Sequence, residues 1–103
     1  MPETFTLSDL QAIILDRQQN PKAGSYTNKL FDEGLSRIAQ KVGEEATEVV
    51  VAALSQPREL QIGELSDLFY HTLVLMAAKG ITLDDVCAEL ERRHSTRKES
   101  AHG

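Results

Sequence analysis

The sequence predicts an all-α fold. Apolar residues recur at three- and four-residue intervals along four long stretches, and no window alternates with period two. Every proline, together with Gly24, Gly34 and Gly80, falls between those stretches rather than inside them. Aromatic residues make up only 5% of the chain and Trp is absent, so Leu, Ile, Val and Ala must build the core. Such a core suits packed helices.

The first helix is expected over about Ser8 to Gln18, with Leu7, Leu10, Ile13, Ile14 and Arg17 on one face and Thr6 or Ser8 as N-cap. The segment 19–25 (QNPKAGS) carries the Asn, Pro and Gly of irregular chain. A short helical turn between Tyr26 and Glu33 should stop at Gly34. The second long helix spans about Leu35 to Leu54. The third follows Pro57 and ends at Lys79, before Gly80. Thr82 and Asp85 form a capping box for the last helix, which should end near His94. Residues 1–95 thus read as one domain, and 96–103 as a polar, disordered tail.

At 103 residues the chain has room for one thin core. The third helix makes this a problem, because Leu65, Leu68, Phe69, Leu73, Val74, Leu75 and Met76 cover almost its whole circumference. A helix apolar all round needs neighbours on all sides, so a two-fold homodimer is expected. A net charge of −5 excludes non-specific nucleic-acid binding, which needs a basic surface. No stretch reaches the roughly 20 apolar residues of a membrane span, and no export signal opens the chain. The single cysteine, Cys87, fits a reducing cytoplasm and reads as a small core residue.

The acidic residues carry the chemical signal. With about 100° per residue, Ile38, Val42, Val49 and Ala52 all lie within about 60° of Glu45, which therefore interrupts an apolar stripe. Glu48 sits at the edge of that stripe and Glu44 nearer solvent. On the third helix, Glu64, Asp67 and His71 share a sector with Leu60, Leu68 and Leu75. Like charges one turn apart destabilise a helix by about 0.2–0.5 kcal/mol per pair, and removing carboxylates from water costs far more. A solitary Glu-x-x-Glu pair is usually a solvated surface. Two such pairs on consecutive helices, inside apolar sectors, point instead to a hard divalent cation such as Mg²⁺ with oxygen ligands. Lys41, Arg37 or Arg17 offer an alternative neutralisation.

Other polar groups are less specific. His71 lies one turn from Asp67 and suits either a contact to that carboxylate or substrate, or a satisfied core position. Lys22, Ser25, Tyr26 and Lys29 flank Gly24 in a cluster fit for phosphate. Gly43 and Gly63 adjoin the acid pairs and suggest close backbone approach, since each costs about 1 kcal/mol of helix propensity against Ala.

The spacing Glu44-Glu45-x-x-Glu48 followed by Glu64-x-x-Asp67 resembles the signature of the all-α, MazG-like nucleoside triphosphate pyrophosphohydrolases. Residues 25–31 (SYTNKLF), 41–48 (KVGEEATE) and 67–71 (DLFYH), with 83–93, narrow that resemblance to the phosphoribosyl-ATP pyrophosphohydrolases, over about residues 7 to 94. The resemblance implies a four-helix MazG-like fold and hydrolysis of the α–β phosphoanhydride of phosphoribosyl-ATP, the second step of histidine biosynthesis. It implies Mg²⁺ held by Glu45, Glu48, Glu64 and Asp67, with Glu44 or Glu48 as general base. Arg17, Lys22, Lys29 and Lys41 become candidate cations for the phosphates or the phosphoribosyl group, with Ser25, Tyr26 and His71 beside them. Two alternatives stay open: a house-cleaning pyrophosphohydrolase for dNTPs or damaged nucleotides, and a non-enzymatic helical dimerisation module.

Overall fold

Side-chain caps, a glycine and a proline explain where the helices begin. The computed structural model describes residues 4–99, and every regular element in that range is a helix. Helix α1, Leu7–Gln19, opens on Thr6, whose hydroxyl accepts from the Asp9 amide at 3.1 Å while Asp9 accepts from the Thr6 amide at 2.9 Å. Helix α2, Tyr26–Glu33, is capped by Ser25, which accepts from the Asn28 amide. Gly34, at φ 98°, turns the chain directly into α3, Leu35–Ser55. Helix α4, Arg58–Lys79, starts after Pro57 and ends on Gly80 in the left-handed conformation. Thr82 and Asp85 exchange the same reciprocal bonds as Thr6 and Asp9 at the start of α5, Leu83–Glu99.

The core joins the first four helices. Ile14 of α1, Leu30 of α2, Ile38 of α3 and Leu73, Val74 and Ala77 of α4 form one buried cluster. Each large aliphatic side chain removed from water there contributes about 1.5–3 kcal/mol. The most extensive packing is between α3 and α4, which fold back on each other across the short turn at Gln56 and Pro57. Gln18 donates to the Ala77 carbonyl at 3.2 Å, and Gln11 accepts from the Leu83 amide at 2.7 Å, tying α1 to both ends of the 80–82 connection.

Several details depart from the sequence reading. The short turn after Tyr26 is a full helix, so the described residues hold five helices. The last helix continues to Glu99 rather than stopping near His94, because no Gly or Pro intervenes to break it. Residues 100–103 of the expected tail lie outside the described residues. Cys87 is exposed rather than in the core. Its helix joins the body through Leu83, leaving Val86 and Leu90 exposed as well. Close backbone approach at Gly43 and Gly63 is absent within the chain, since a Cβ at either would meet nothing within 4 Å. The all-round apolar character of α4 resolves into two halves: His71, Leu73, Val74 and Ala77 are buried, while Leu60, Ile62, Leu65 and Phe69 remain exposed.

Candidate metal centre and its neighbouring cavity

Because α3 and α4 double back at Gln56 and Pro57, Glu48 and Glu64 stand about two helical turns from the bend on facing helices. The result is a carboxylate trio. Glu45, Glu48 and Glu64 bring one oxygen each within 4.8 Å of one another. Glu45 is only 6% exposed, as its place in the stripe of Ile38 and Ala52 requires. Oε2 of Glu45 and Oε2 of Glu64 are both buried without a hydrogen-bond partner. Orphaned carboxylate oxygens are costly, and three converging on one spot are the donor set a hard cation prefers. The residues present therefore fit a divalent metal ion.

The trio's titration shows the same conflict. The Glu48 carboxyl is pushed up to about 7, first by its hydrogen bond with Glu45 and that carboxylate's charge, then by burial and by Glu64. Burial also works against the Glu45 carboxylate, but its contacts with Glu48 and Lys41 outweigh that penalty and hold its pKa below the ordinary value. The two carboxylates thus titrate as a pair, and the pair takes up its first proton closer to neutrality than an isolated carboxylate would.

Lys41 is the local counter-ion. Its ammonium lies 3.3 Å from Glu45 and 3.4 Å from Glu44. Burial opposes its charge, yet the Glu45 carboxylate more than compensates and raises its pKa. Glu44 is exposed and engaged with Lys41, with Gln40 at 2.9 Å and with Arg37 at 4.0 Å. It stands apart from the trio. Asp67 also lies outside it and is exposed, although its backbone carbonyl anchors His71 Nδ1 at 2.7 Å. A carbonyl only accepts, so Nδ1 donates and Nε2 is left to accept from the Tyr26 hydroxyl at 3.1 Å. His71, 5% exposed, therefore links α4 to α2.

Tyr26 also lines a cavity of about 640 Å³, bounded by the 21–25 loop and α2. Lys22, Ser25, Tyr26 and Lys29, expected together from the sequence, all line it. Arg17 does not, and its guanidinium is paired with Asp16 at 3.0 Å. Sequence reasoning missed Asn28, which shapes this loop by accepting from the Lys22 amide at 2.9 Å and donating to the Arg17 carbonyl at 2.7 Å. An Asn in the first turn of a helix, where its propensity is poor, was the available signal. Thr27 and Tyr70, hydrogen-bonded between α2 and α4, were missed as well.

Comparison with known proteins settles the lineage. The family model described as phosphoribosyl-ATP pyrophosphohydrolase matches residues 7–94. The chain belongs to this family. Among its relatives, a phosphoribosyl-ATP pyrophosphatase of Sulfurisphaera tokodaii is 58% identical over 87 residues, covering 84% of this chain and 93% of the relative. One from Listeria welshimeri is 53% identical, covering 84% of each. A histidine biosynthesis bifunctional protein HisIE of Oceanobacillus iheyensis is 47% identical over 85% of this chain but only 41% of its own length. The match thus covers most of the two pyrophosphatases but less than half of the bifunctional relative. The all-helical fold and the acid-bearing α3–α4 hairpin are those the family resemblance implies.

Proposed function

We propose that this chain hydrolyses the α–β phosphoanhydride of phosphoribosyl-ATP, releasing phosphoribosyl-AMP and pyrophosphate in the second step of histidine biosynthesis. Family membership supports the substrate, and the carboxylate trio with its two buried, orphaned oxygens carries the chemistry. Glu45, Glu48 and Glu64 would hold Mg²⁺, and Asp67, one turn beyond Glu64, is the fourth proposed ligand. Bound there, the ion supplies charge neutralisation for phosphate oxygens and acidifies a water molecule.

The chain's own side chains do the remaining work. Lys41 restrains Glu45 from one side and lies within electrostatic reach of Tyr26 on the other. It is thus placed to meet phosphate as well. His71 and Tyr26 fix the spacing between α4 and the 21–25 loop. Of the two candidate bases, Glu48 is favoured over Glu44. Glu48 belongs to the trio and its carboxyl is pushed up to about 7, where it can both take and release a proton, whereas Glu44 is occupied by Lys41 and Gln40.

The exposed apolar residues flanking the α3–α4 turn, Val50, Leu54, Leu60 and Ile62, support pairing with a second copy of the chain. Among the described residues no helix is long and apolar enough to cross a membrane. Measuring pyrophosphate release from phosphoribosyl-ATP beside a panel of dNTPs tests the assignment. Strong preference for phosphoribosyl-ATP is expected. Preference for a dNTP would replace it with the house-cleaning alternative.

A further inference from the structure

Of the four cations the sequence singled out, two are already neutralised. Arg17 is paired with Asp16, and Lys41 with Glu44 and Glu45. Arg37 is likewise held by Glu33 at 3.5 Å. Lys22 and Lys29 differ: neither ammonium has an ion-pair partner among the described residues, and both line the cavity that borders Tyr26. Asp32 lines the same cavity and offers a carboxylate that can accept from hydroxyl groups. Two free ammonium groups and a hydroxyl-accepting carboxylate around one space make a receptor for a phosphorylated sugar.

The substrate in the functional reading above has two anionic ends. Its triphosphate carries the scissile bond and belongs at the carboxylate trio. Its phosphoribosyl group is a second sugar bearing its own phosphate, which an ordinary nucleoside triphosphate lacks. Tyr26, which lines the cavity, bonds to His71, and His71 bonds to the backbone of Asp67, one turn from Glu64 of the trio. Resting on that functional reading, we infer that the cavity between the 21–25 loop and α2 is the phosphoribosyl subsite. Lys22 and Lys29 bind its phosphate, and Asp32 binds its hydroxyls. This subsite separates phosphoribosyl-ATP from other triphosphates.

The test uses ribose 5-phosphate as the probe, titrated calorimetrically into metal-free protein in the presence of EDTA. The full-length protein should bind it without metal, and Lys22→Ala/Lys29→Ala should weaken binding at least about tenfold. In the Mg²⁺-containing assay the same variant should raise KM for phosphoribosyl-ATP at least about tenfold, with a smaller change in kcat. Lys29→Arg should restore part of the loss. Both lysines are exposed, so thermal unfolding should not move and misfolding is excluded by the same preparation. Undetectable ribose 5-phosphate binding by the unmodified chain, or an unmoved KM in the double variant, would overturn the subsite while leaving the enzyme reading intact. Failure of the unmodified chain to hydrolyse phosphoribosyl-ATP would overturn the functional reading itself.

Discussion

The carboxylate trio and the lysine-lined cavity arrange their charges differently: the trio gathers like charges, whereas the cavity lining carries Lys22 and Lys29 beside Asp32 and Glu33. At the trio, carboxylate oxygens are buried, mutually repelling and partly orphaned, with one lysine beside them. In the cavity, ammonium groups are open to solvent and lack ion-pair partners among the described residues. The first arrangement is costly in the absence of a ligand, whereas the second costs little, because exposed charges keep their hydration. This difference teaches where catalysis and where recognition are built. A ligand at the trio relieves stored repulsion, so its loss should abolish turnover. A ligand in the cavity adds binding energy, so its loss should appear in KM.

The sharpest way to break this contrast is Glu45→Gln. It removes charge at the most buried member of the trio and leaves Lys41 without its closest partner. Activity should fall by more than the ten- to hundredfold typical of groups that merely support ligands. Pyrophosphate release at saturating Mg²⁺ measures it, and near-normal turnover would remove Glu45 from the ligand set.

Proton linkage gives the next largest effect. The folded Glu48 carboxyl has its pKa raised from 4.5 to about 7. Its contribution to metal-free stability is therefore fully present below 4.5 and lost as pH rises through about 7. Glu45, whose pKa is lowered, contributes above its ordinary value and loses that only in acid. Between pH 5 and 8 the Glu48 effect dominates, so the metal-free Tm should decline with pH, and Mg²⁺ should suppress the decline. Because the metal must displace the Glu48 proton, Mg²⁺ affinity should rise about tenfold from pH 6 to pH 8. Calorimetric titration at the two pH values checks this; equal affinities would contradict it.

Smaller changes probe the connection between the regions. Tyr26→Phe deletes the hydroxyl that bonds to His71 and should destabilise the protein by about 1 kcal/mol, read by urea denaturation. Because it loosens the spacer, both KM and kcat should worsen. An effect on stability alone would make the bond merely structural. Smallest is Gly63→Ala, which meets open space in the single chain and should stabilise it by up to about 1 kcal/mol. Destabilisation instead, together with weaker self-association by sedimentation, would place a partner helix against Gly63.

Much of this was legible in the sequence where the physics is local. The reciprocal bonds of Thr6 with Asp9 and of Thr82 with Asp85 involve residues three apart, so caps could be read directly. Glu45 was legible because helical periodicity alone places it among Ile38 and Ala52. Contacts between distant segments were not. The Tyr26–His71 and Thr27–Tyr70 bonds, and the orientation of Asn28, depend on how α2 lies against α1 and α4. Cys87 was misplaced because apolar spacing along α5 shows that a face is apolar, without showing what covers it. The division between Glu44 and the trio was half legible: the wheel turned Glu44 toward solvent, and Lys41, Gln40 and Arg37 complete its separation.

The central claim is that the α3–α4 carboxylates form a divalent-cation site on which hydrolysis depends. Its most direct test is one Mg²⁺ titration of metal-stripped protein at pH 8, following both Tm and pyrophosphate release from phosphoribosyl-ATP. Both should rise over the same range of Mg²⁺, and both responses should disappear in Glu45→Gln. Full activity in EDTA with no shift in Tm would contradict the account.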